Sequence, residues 1–118
     1  MLALAPDLAT AHYNLGIASQ LRGENSAAVA CFRRAIELAP ALAEAHARLG
    51  LEFGRQGNDA RAVEQFAEAV RLKPDLLEVR LNLGIALSKQ QRVAEARQQF
   101  EEVLRRSPTN EIALKYLR

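Results

Sequence analysis

The amino-acid sequence predicts an all-α fold built from stacked pairs of antiparallel helices, because a unit of 34 residues recurs along it. All the prolines of the chain follow this step, at Pro6, Pro40, Pro74 and Pro108. Three Leu-Gly pairs, at residues 15–16, 49–50 and 83–84, keep the same spacing, as do Phe32, Phe66 and Phe100. A strict period of this length is typical of proteins whose repeats stack only on their neighbours.

The period divides the single domain, residues 1–118, into three full repeats, residues 9–42, 43–76 and 77–110. Residues 1–8 match the end of a preceding repeat, and residues 111–118 match the start of a fourth first helix. Three repeats are about the smallest number that can bury a continuous core by stacking. We therefore expect the chain to be a segment of a longer array.

The first repeat predicts two helices joined by a tight turn. A first helix is expected over residues 8–21, with the side chain of Asp7 accepting from the free backbone N–H groups of its first turn. Gly23 breaks this helix, and Asn25 is expected to cap the next one. The second helix is expected over residues 26–38, because its apolar side chains recur with the 3.6-residue period of a helix.

The second and third repeats keep this layout but differ at the helix ends. The first helix of the second repeat begins near Leu42 without a capping side-chain oxygen, which typically costs about 1 kcal/mol. The third repeat opens with Asp75 and, three residues later, Glu78, a carboxylate version of the capping box. The turn of the third repeat, residues 89–93, lacks the glycine that the other two turns have.

Residues 79–87 carry an apolar side chain at every second position, as a half-buried strand would. The same positions in the first two repeats fit a helix, so the repeat period favours a helix here as well. An apolar residue on nearly every side of that helix predicts that it is covered on both faces or binds a partner.

Small residues are expected where the two helices of a repeat approach most closely, since a missing side chain lets backbones come together. On this basis Gly50 should face Ala62 of the paired helix, with Gly16 and Gly84 in equivalent places. The three repeating phenylalanines are expected to fill the space between successive repeats.

Composition and charge exclude several classes of function. Lys and Arg number 16 against 14 Asp and Glu, too small a surplus to indicate nucleic-acid binding. No apolar run approaches the roughly 20 residues of a membrane span, and with no signal peptide apparent a cytoplasmic location is expected. The single cysteine, Cys31, cannot form an internal disulfide and is expected to be a packed thiol. His12 and His46 lack a further ligand at helical spacing, so no metal is expected. No glycine-rich phosphate loop and no G-x-S-x-G motif appears, so neither another cofactor nor enzyme activity is expected.

The recurring residues resemble those of the tetratricopeptide repeat family. The pattern aromatic-x2-Leu-Gly-x2-aromatic, then Ala-x3-Phe, then Pro is met in spacing over nearly the whole chain. The first aromatic position is held by His12, His46 and Arg80, and the second by Ser19, Phe53 and Leu87. The resemblance implies a right-handed α-solenoid of stacked antiparallel helix pairs, in which the first helices line a concave groove.

In that family the groove residues occupy the fifth, sixth, ninth, twelfth and thirteenth positions of each repeat. Carried onto this chain, the resemblance implies peptide-binding residues at Tyr13, Asn14, Ile17, Arg48, Leu51, Arg55, Asn82, Ile85 and Lys89. The isoleucines and the leucine would form an apolar floor, the asparagines would hold a peptide main chain, and the cations would select acidic side chains. No acid stands at these positions. We expect a non-catalytic scaffold for protein–protein interaction that binds an extended, acidic peptide.

Alternatives are weighed beside this one. Chaperone adaptors of the family grip an acidic C-terminal tail with Lys, Asn and Arg, but Tyr13 stands where a Lys is needed and Ile17 where an Asn is needed, which disfavours that mode. Weak self-association through the ends of the array is a second alternative. The Asn-Leu-Gly triplets at Asn14 and Asn82 resemble arrays attached to sugar-transferring enzymes and bacterial scaffolds, so the segment could also be the recognition arm of a larger enzyme.

Overall fold

A computed structural model describes residues 8–118, and this part of the chain contains helices and no strand. The helices are α1 (Leu8–Leu21), α2 (Asn25–Leu38), α3 (Ala43–Arg55), α4 (Asp59–Leu72), α5 (Leu77–Lys89), α6 (Val93–Arg106) and α7 (Glu111–Tyr116). The predicted all-α solenoid is confirmed. The predicted cap Asp7 and the N-terminal fragment fall largely on residues 1–7, which lie outside the described residues.

Each helix packs on the helix that follows it, and α3 also contacts α5. The three main pairs, α1 with α2, α3 with α4 and α5 with α6, therefore stack in sequence order, and the chain measures 52 × 31 × 21 Å along its principal axes. This elongated arrangement brings the first helices α3 and α5 side by side. Over residues 8–118, every helix is too short or too polar to cross a bilayer.

A glycine on each first helix touches a phenylalanine ring on the paired second helix. A Cβ atom added to Gly50 would lie 2.7 Å from Cε1 of Phe66, and Gly16 and Gly84 meet their phenylalanines equally closely. Side-chain atoms do not approach this closely, so glycine is required at all three positions. The side chain nearest to Gly50 is thus Phe66, where the sequence analysis expected Ala62, and the phenylalanine fills the contact inside each pair. Phe100 also reaches the next helix, where its ring stacks on Tyr116 with centroids 4.8 Å apart.

The turn inside each repeat has one conformation in all three copies. Gly23, Gly57 and Gln91 hold the same position and have positive φ angles of 75°, 78° and 62°. In each copy the following N–H group bonds to a carbonyl five residues earlier at 2.9 Å, the hydrogen bond of a Schellman motif. The third turn thus forms without glycine, and Gln91 adopts a conformation that is unfavourable for a residue with a Cβ atom.

Two predicted helix caps are wrong. Asn25 is the first residue of α2, and the residue at the cap, Glu24, makes no side-chain capping bond. The cap of α5 is Leu76 rather than Asp75, whose carboxylate pairs instead with Arg106 at the end of α6. Side-chain caps are made by Asn58 on α4 and Asn110 on α7.

The polar residues at the first aromatic position of the repeats link the two helices of a pair. His46 lies with Nε2 2.9 Å from the carbonyl oxygen of Pro40 and Nδ1 2.8 Å from Oε1 of Gln65. Arg80, at the same position of the third repeat, donates to the equivalent carbonyl and glutamine at 3.1 Å each. These contacts tie α3 and α5 to their partner helices and to the preceding turns.

The alternating segment, residues 79–87, is helical, as the repeat period predicts. Helix α5 packs against α3, α4 and α6, and six of its residues are buried, including Val79, Leu81, Leu83 and Leu87. This coverage accounts for the apolar residues on nearly every side of α5. Ile85 is only half-buried, so it remains available to the surface formed by the first helices.

Helix α7 docks on α6 through one face. Ala113 is fully buried and Leu117 packs against the core, whereas Ile112 and Leu114 are 46% and 44% exposed. Helix α7 thus docks on the third repeat, and self-association through the ends of the array stays a prediction.

The glycine contact can be tested with one substitution at two positions of α3. Gly50→Ala should destabilise the chain by about 1–3 kcal/mol, because the new methyl group overlaps the ring of Phe66. Gly54→Ala should stabilise it by up to about 1 kcal/mol, because a Cβ there meets nothing within 4 Å and alanine favours the helix. Urea denaturation measures both, and equal shifts of the two midpoints would refute the packing described for Gly50.

The third turn provides a second test. Gln91→Gly should stabilise the chain by about 1 kcal/mol, since glycine adopts a positive φ angle without the steric cost that glutamine bears. The reciprocal change, Gly57→Gln, should destabilise it by a similar amount. Thermal unfolding compares the two variants, and a loss of stability in Gln91→Gly would show that the turn does not require this conformation.

Candidate functional site

Two adjoining clefts open on the side of the molecule formed by the first helices α1, α3 and α5. The larger has a volume of about 470 Å³ and includes Tyr13 and Arg48 in its lining, and the smaller, of about 240 Å³, includes Arg55, Ile85 and Lys89. Both clefts are lined by Leu51 and Asn82. Because they share these two side chains, the clefts adjoin, and we call the two together the groove.

The groove contains seven of the nine residues predicted to bind a peptide. The two outside it are Asn14 and Ile17, which line neither cleft. Asn14 is exposed on α1, one residue from the groove residue Tyr13, and Ile17 is half-buried against the core. Both residues lie on α1 outside the larger cleft, where they continue the row of predicted peptide-binding positions.

The floor of the smaller cleft is apolar. Leu51 and Ile85 line it from neighbouring first helices, and Phe66 and Ala62 lie on the second helix behind them. Gly54 leaves open space here, since a Cβ atom at this position would meet nothing within 4 Å. A ligand side chain can therefore be buried between α3 and α5 without displacing a protein group.

Acidic residues also line the groove, at positions that the sequence analysis did not consider. Glu44, Glu78 and Asp59 lie in the first turns of α3, α5 and α4, where the helix N-terminus favours negative charge. The ammonium of Lys73 donates to Glu44 at 2.6 Å, and this hydrogen bond lowers the pKa of the Glu44 carboxyl. The groove as a whole thus carries both positive and negative charges, although none of the predicted peptide-binding residues is acidic.

Glu52 is a fully buried acid between the first two repeats, and the sequence analysis missed it. Its Oε2 atom accepts from Nε2 of Gln20 at 2.6 Å and from Nη1 of Arg55 at 2.8 Å, whereas its Oε1 atom has no hydrogen-bond partner. The equivalent residues of the other repeats are Ala18 and Ala86. A charged residue at a position that is otherwise alanine is the signal that could have revealed it.

The contacts of Glu52 extend to a cation of the groove. Gln20 accepts from Nη1 of Arg48 at 3.2 Å through the oxygen of the same amide that donates to Glu52. Four side chains from α1 and α3 therefore form one hydrogen-bonded chain, in the order Arg48, Gln20, Glu52 and Arg55. Arg48 and Arg55 both line the groove, and both have one N–H group engaged in this chain.

A third cleft, of about 430 Å³, lies among α2, α3 and α4 and is lined by Arg33, His46, Phe53, Arg61 and Gln65, among others. We call it the outer cleft. The guanidinium carbons of Arg33 and Arg61 lie 5.8 and 5.7 Å from the ring centroid of Phe53, within the range of cation–π attraction. This surface is the alternative against which binding in the groove has to be tested.

His46 and Cys31 have the surroundings of residues that support the fold. Both ring nitrogens of His46 lie within hydrogen-bonding distance of oxygen atoms, and Cys31 is half-buried on α2. In residues 8–118 no three potential metal-ligating side chains come together.

Family profiles described as tetratricopeptide repeat match residues 9–42 and residues 47–111, and the second match alone covers more than half of the chain. The comparison with curated proteins gave no match.

Solved structures share the fold. A crystal structure of MamA is 28% identical, with a TM-score of 0.81 over 89% of this chain, and the chain spans 61% of that of MamA. The first TPR of Spaghetti (RPAP3), bound to the HSP90 peptide SRMEEVD, is 20% identical, with a TM-score of 0.88 over 99% of this chain and 93% of its own. The second TPR domain of human RPAP3, in complex with an HSP70 peptide, is 24% identical, with a TM-score of 0.85 over 93% of this chain and 92% of its own. At 20% and 24% identity, the two RPAP3 domains are similar to this chain in fold.

Proposed function

Since the chain belongs to the tetratricopeptide repeat family, we propose that it is a non-catalytic scaffold that binds an extended segment of a partner protein in the groove. The observation that carries this proposal is that the two clefts adjoin at Leu51 and Asn82 on neighbouring first helices. Adjoining clefts along a row of first helices suit a chain-like ligand better than a compact small molecule. The RPAP3 domains bind chaperone peptides on the same fold, which supports a peptide as the ligand here.

The asparagines Asn14 and Asn82 are proposed to hold the main chain of the ligand. An asparagine amide offers an acceptor and two donors, so it can bond to the N–H and C=O groups of a peptide unit whatever the side chains are. First helices two repeats apart lie roughly 20 Å apart if each step is about one interhelix distance. An extended chain covers that distance in about six residues, so the ligand should be at least that long.

The floor and the cations are proposed to supply specificity. Ile17, Leu51 and Ile85 receive apolar side chains, while Arg48, Arg55 and Lys89 attract acidic ones. Glu78 and Asp59 lie in the same clefts, but their charges are partly offset by the helix N-termini that they occupy. The resulting preference for acidic peptides should be modest. Ordering of the peptide opposes binding, so affinities in the micromolar range are expected.

The C-terminal chaperone clamp remains disfavoured for this chain. Tyr13 and Ile17 replace the Lys and Asn that the clamp uses, and Tyr13 lines the larger cleft. We therefore propose an internal acidic segment of a partner rather than a free C-terminus as the ligand.

Self-association is a second candidate, favoured by the exposed side of α7. Ile112, Leu114 and Tyr116 are each between 42% and 46% exposed, and exposed apolar residues promote weak association. Sizing chromatography across a dilution series separates this candidate from peptide binding, because only self-association depends on the concentration of the chain alone. The role of recognition arm within a larger protein is compatible with either candidate.

An array of acetylated and amidated eight-residue peptides, followed by titration of the strongest binders, tests the groove. The double variant Asn14→Ala with Asn82→Ala should weaken all ligands by a similar factor, because it removes main-chain contacts. Arg48→Glu should weaken acidic ligands selectively and reduce the salt dependence of their binding. Arg34→Ala, on the exposed side of α2, is the matched control and should change neither property.

The proposal fails if the groove variants bind like the unmodified chain while charge changes in the outer cleft, such as Arg33→Glu or Arg61→Glu, abolish binding. In that case the working surface is the outer cleft.

A further inference from the structure

Arg48 and Arg55 both line the groove, but their surroundings differ. Arg55 donates at 2.8 Å to the fully buried carboxylate of Glu52, whose other contact, Gln20, is uncharged. Arg48 donates to the neutral amide of Gln20 and has no ion pair among the described residues. Arg55 is therefore ion-paired with an adjacent carboxylate, while Arg48 is not.

The fold itself does not need an acid at position 52. Alanine occupies the equivalent place in the other repeats, where Ala86 is buried and Ala18 is half-buried. A carboxylate removed from water is unfavourable unless a cation and hydrogen bonds compensate it, and Oε1 of Glu52 has no donor at all. Loss of Arg55 would thus leave an uncompensated buried charge, which is among the most destabilising changes a protein can undergo.

We propose that Arg55 is the counter-ion of Glu52 and that Arg48, oriented by Gln20, is the guanidinium that binds a carboxylate of the ligand. This inference rests on the proposed function and divides its cations into two roles. An ion pair acts on a ligand as a weak dipole, whereas a guanidinium with free N–H groups can bond a carboxylate at two points. Gln20 engages only one N–H group of Arg48 and restrains its side chain, so less freedom is lost on binding.

Lys89 agrees with this division. It occupies the place of Arg55 in the third repeat, and the residue that corresponds to Glu52 there is Ala86. Lys89 lines the smaller cleft and has no ion pair among the described residues, so its charge also remains available to a ligand.

The counter-ion role is tested by a double-mutant cycle in thermal unfolding, without any ligand. Arg55→Gln should lower the melting temperature by about 10 °C, because it leaves Glu52 buried without a cation. Glu52→Ala copies the residue of the other repeats and should change the melting temperature by no more than about 3 °C. The double variant should resemble Glu52→Ala. A double variant as unstable as Arg55→Gln would overturn the counter-ion assignment.

The binding role is tested by the ratio of affinities for two probes: an acetylated, amidated octapeptide of alternating leucine and glutamate, and its counterpart with glutamine. Arg48→Gln should reduce this ratio about fivefold, the value of one close charge pair in water. The double variant Glu52→Ala with Arg55→Gln removes the ion pair as a unit and should change the ratio by less than about twofold relative to the unmodified chain. A third probe, the glutamine peptide with a free C-terminus, shows whether a terminal carboxylate is bound through Arg48 as well as a side-chain one.

The outcomes separate this inference from the proposed function. If the double variant loses the acid preference as strongly as Arg48→Gln, Arg55 also selects the ligand and the inference is wrong, although the groove still binds peptides. If Arg48→Gln leaves the ratio unchanged while both probes bind, the assignment of Arg48 is wrong. If neither probe binds the unmodified chain and the peptide array is also negative, the proposed function fails, while the unfolding cycle still decides the role of Arg55.

Discussion

The contact between a glycine of each first helix and a phenylalanine ring of the paired second helix sets the spacing within each repeat. It occurs three times, at Gly16, Gly50 and Gly84, with the added-Cβ distance between 2.6 and 2.7 Å in each copy. The rings are buried, and each aromatic side chain removes on the order of 150–250 Å² from water. Because the same short contact recurs with the same period, the pairs have one shape, and identical shapes stack with the first helices on one side.

The groove follows from that stacking, and its chemistry follows from residues that the stacking leaves free to vary. Leu51 and Ile85 hold the same repeat position and continue the apolar floor from one first helix to the next. The neighbouring positions differ between repeats: Asn14, Arg48 and Asn82 are equivalent, as are Ala18, Glu52 and Ala86. The second repeat therefore has a groove arginine, Arg48, and a buried acid, Glu52, whereas the first and third repeats have asparagine and alanine at these two positions. Stability tolerates such differences only at positions outside the glycine and phenylalanine contact.

Sequence periodicity was sufficient to predict the helices, because a helix depends mainly on local pattern. Helix α1 ends at the expected residue, and α2 begins one residue earlier than expected. The period also placed seven of the nine predicted site residues in the groove. Features that depend on side chains meeting across helices were missed: the ring against Gly50, the contact of Asp75 with Arg106, and the chain from Arg48 to Arg55 through Gln20 and Glu52. A repeat position specifies the side of a helix, but not the partner that a long side chain reaches in the next repeat.

The most direct test of the account is a map of backbone amide chemical-shift changes when the alternating leucine and glutamate octapeptide is added to the isotopically labelled chain. The account predicts that the largest changes fall on the first helices, at Leu51, Gly54, Asn82 and Ile85, and extend along α1 towards Asn14. Largest changes at Arg33, Phe53, Arg61 and Gln65, with the first-helix residues Gly54 and Asn82 unmoved, would place the ligand in the outer cleft and contradict it.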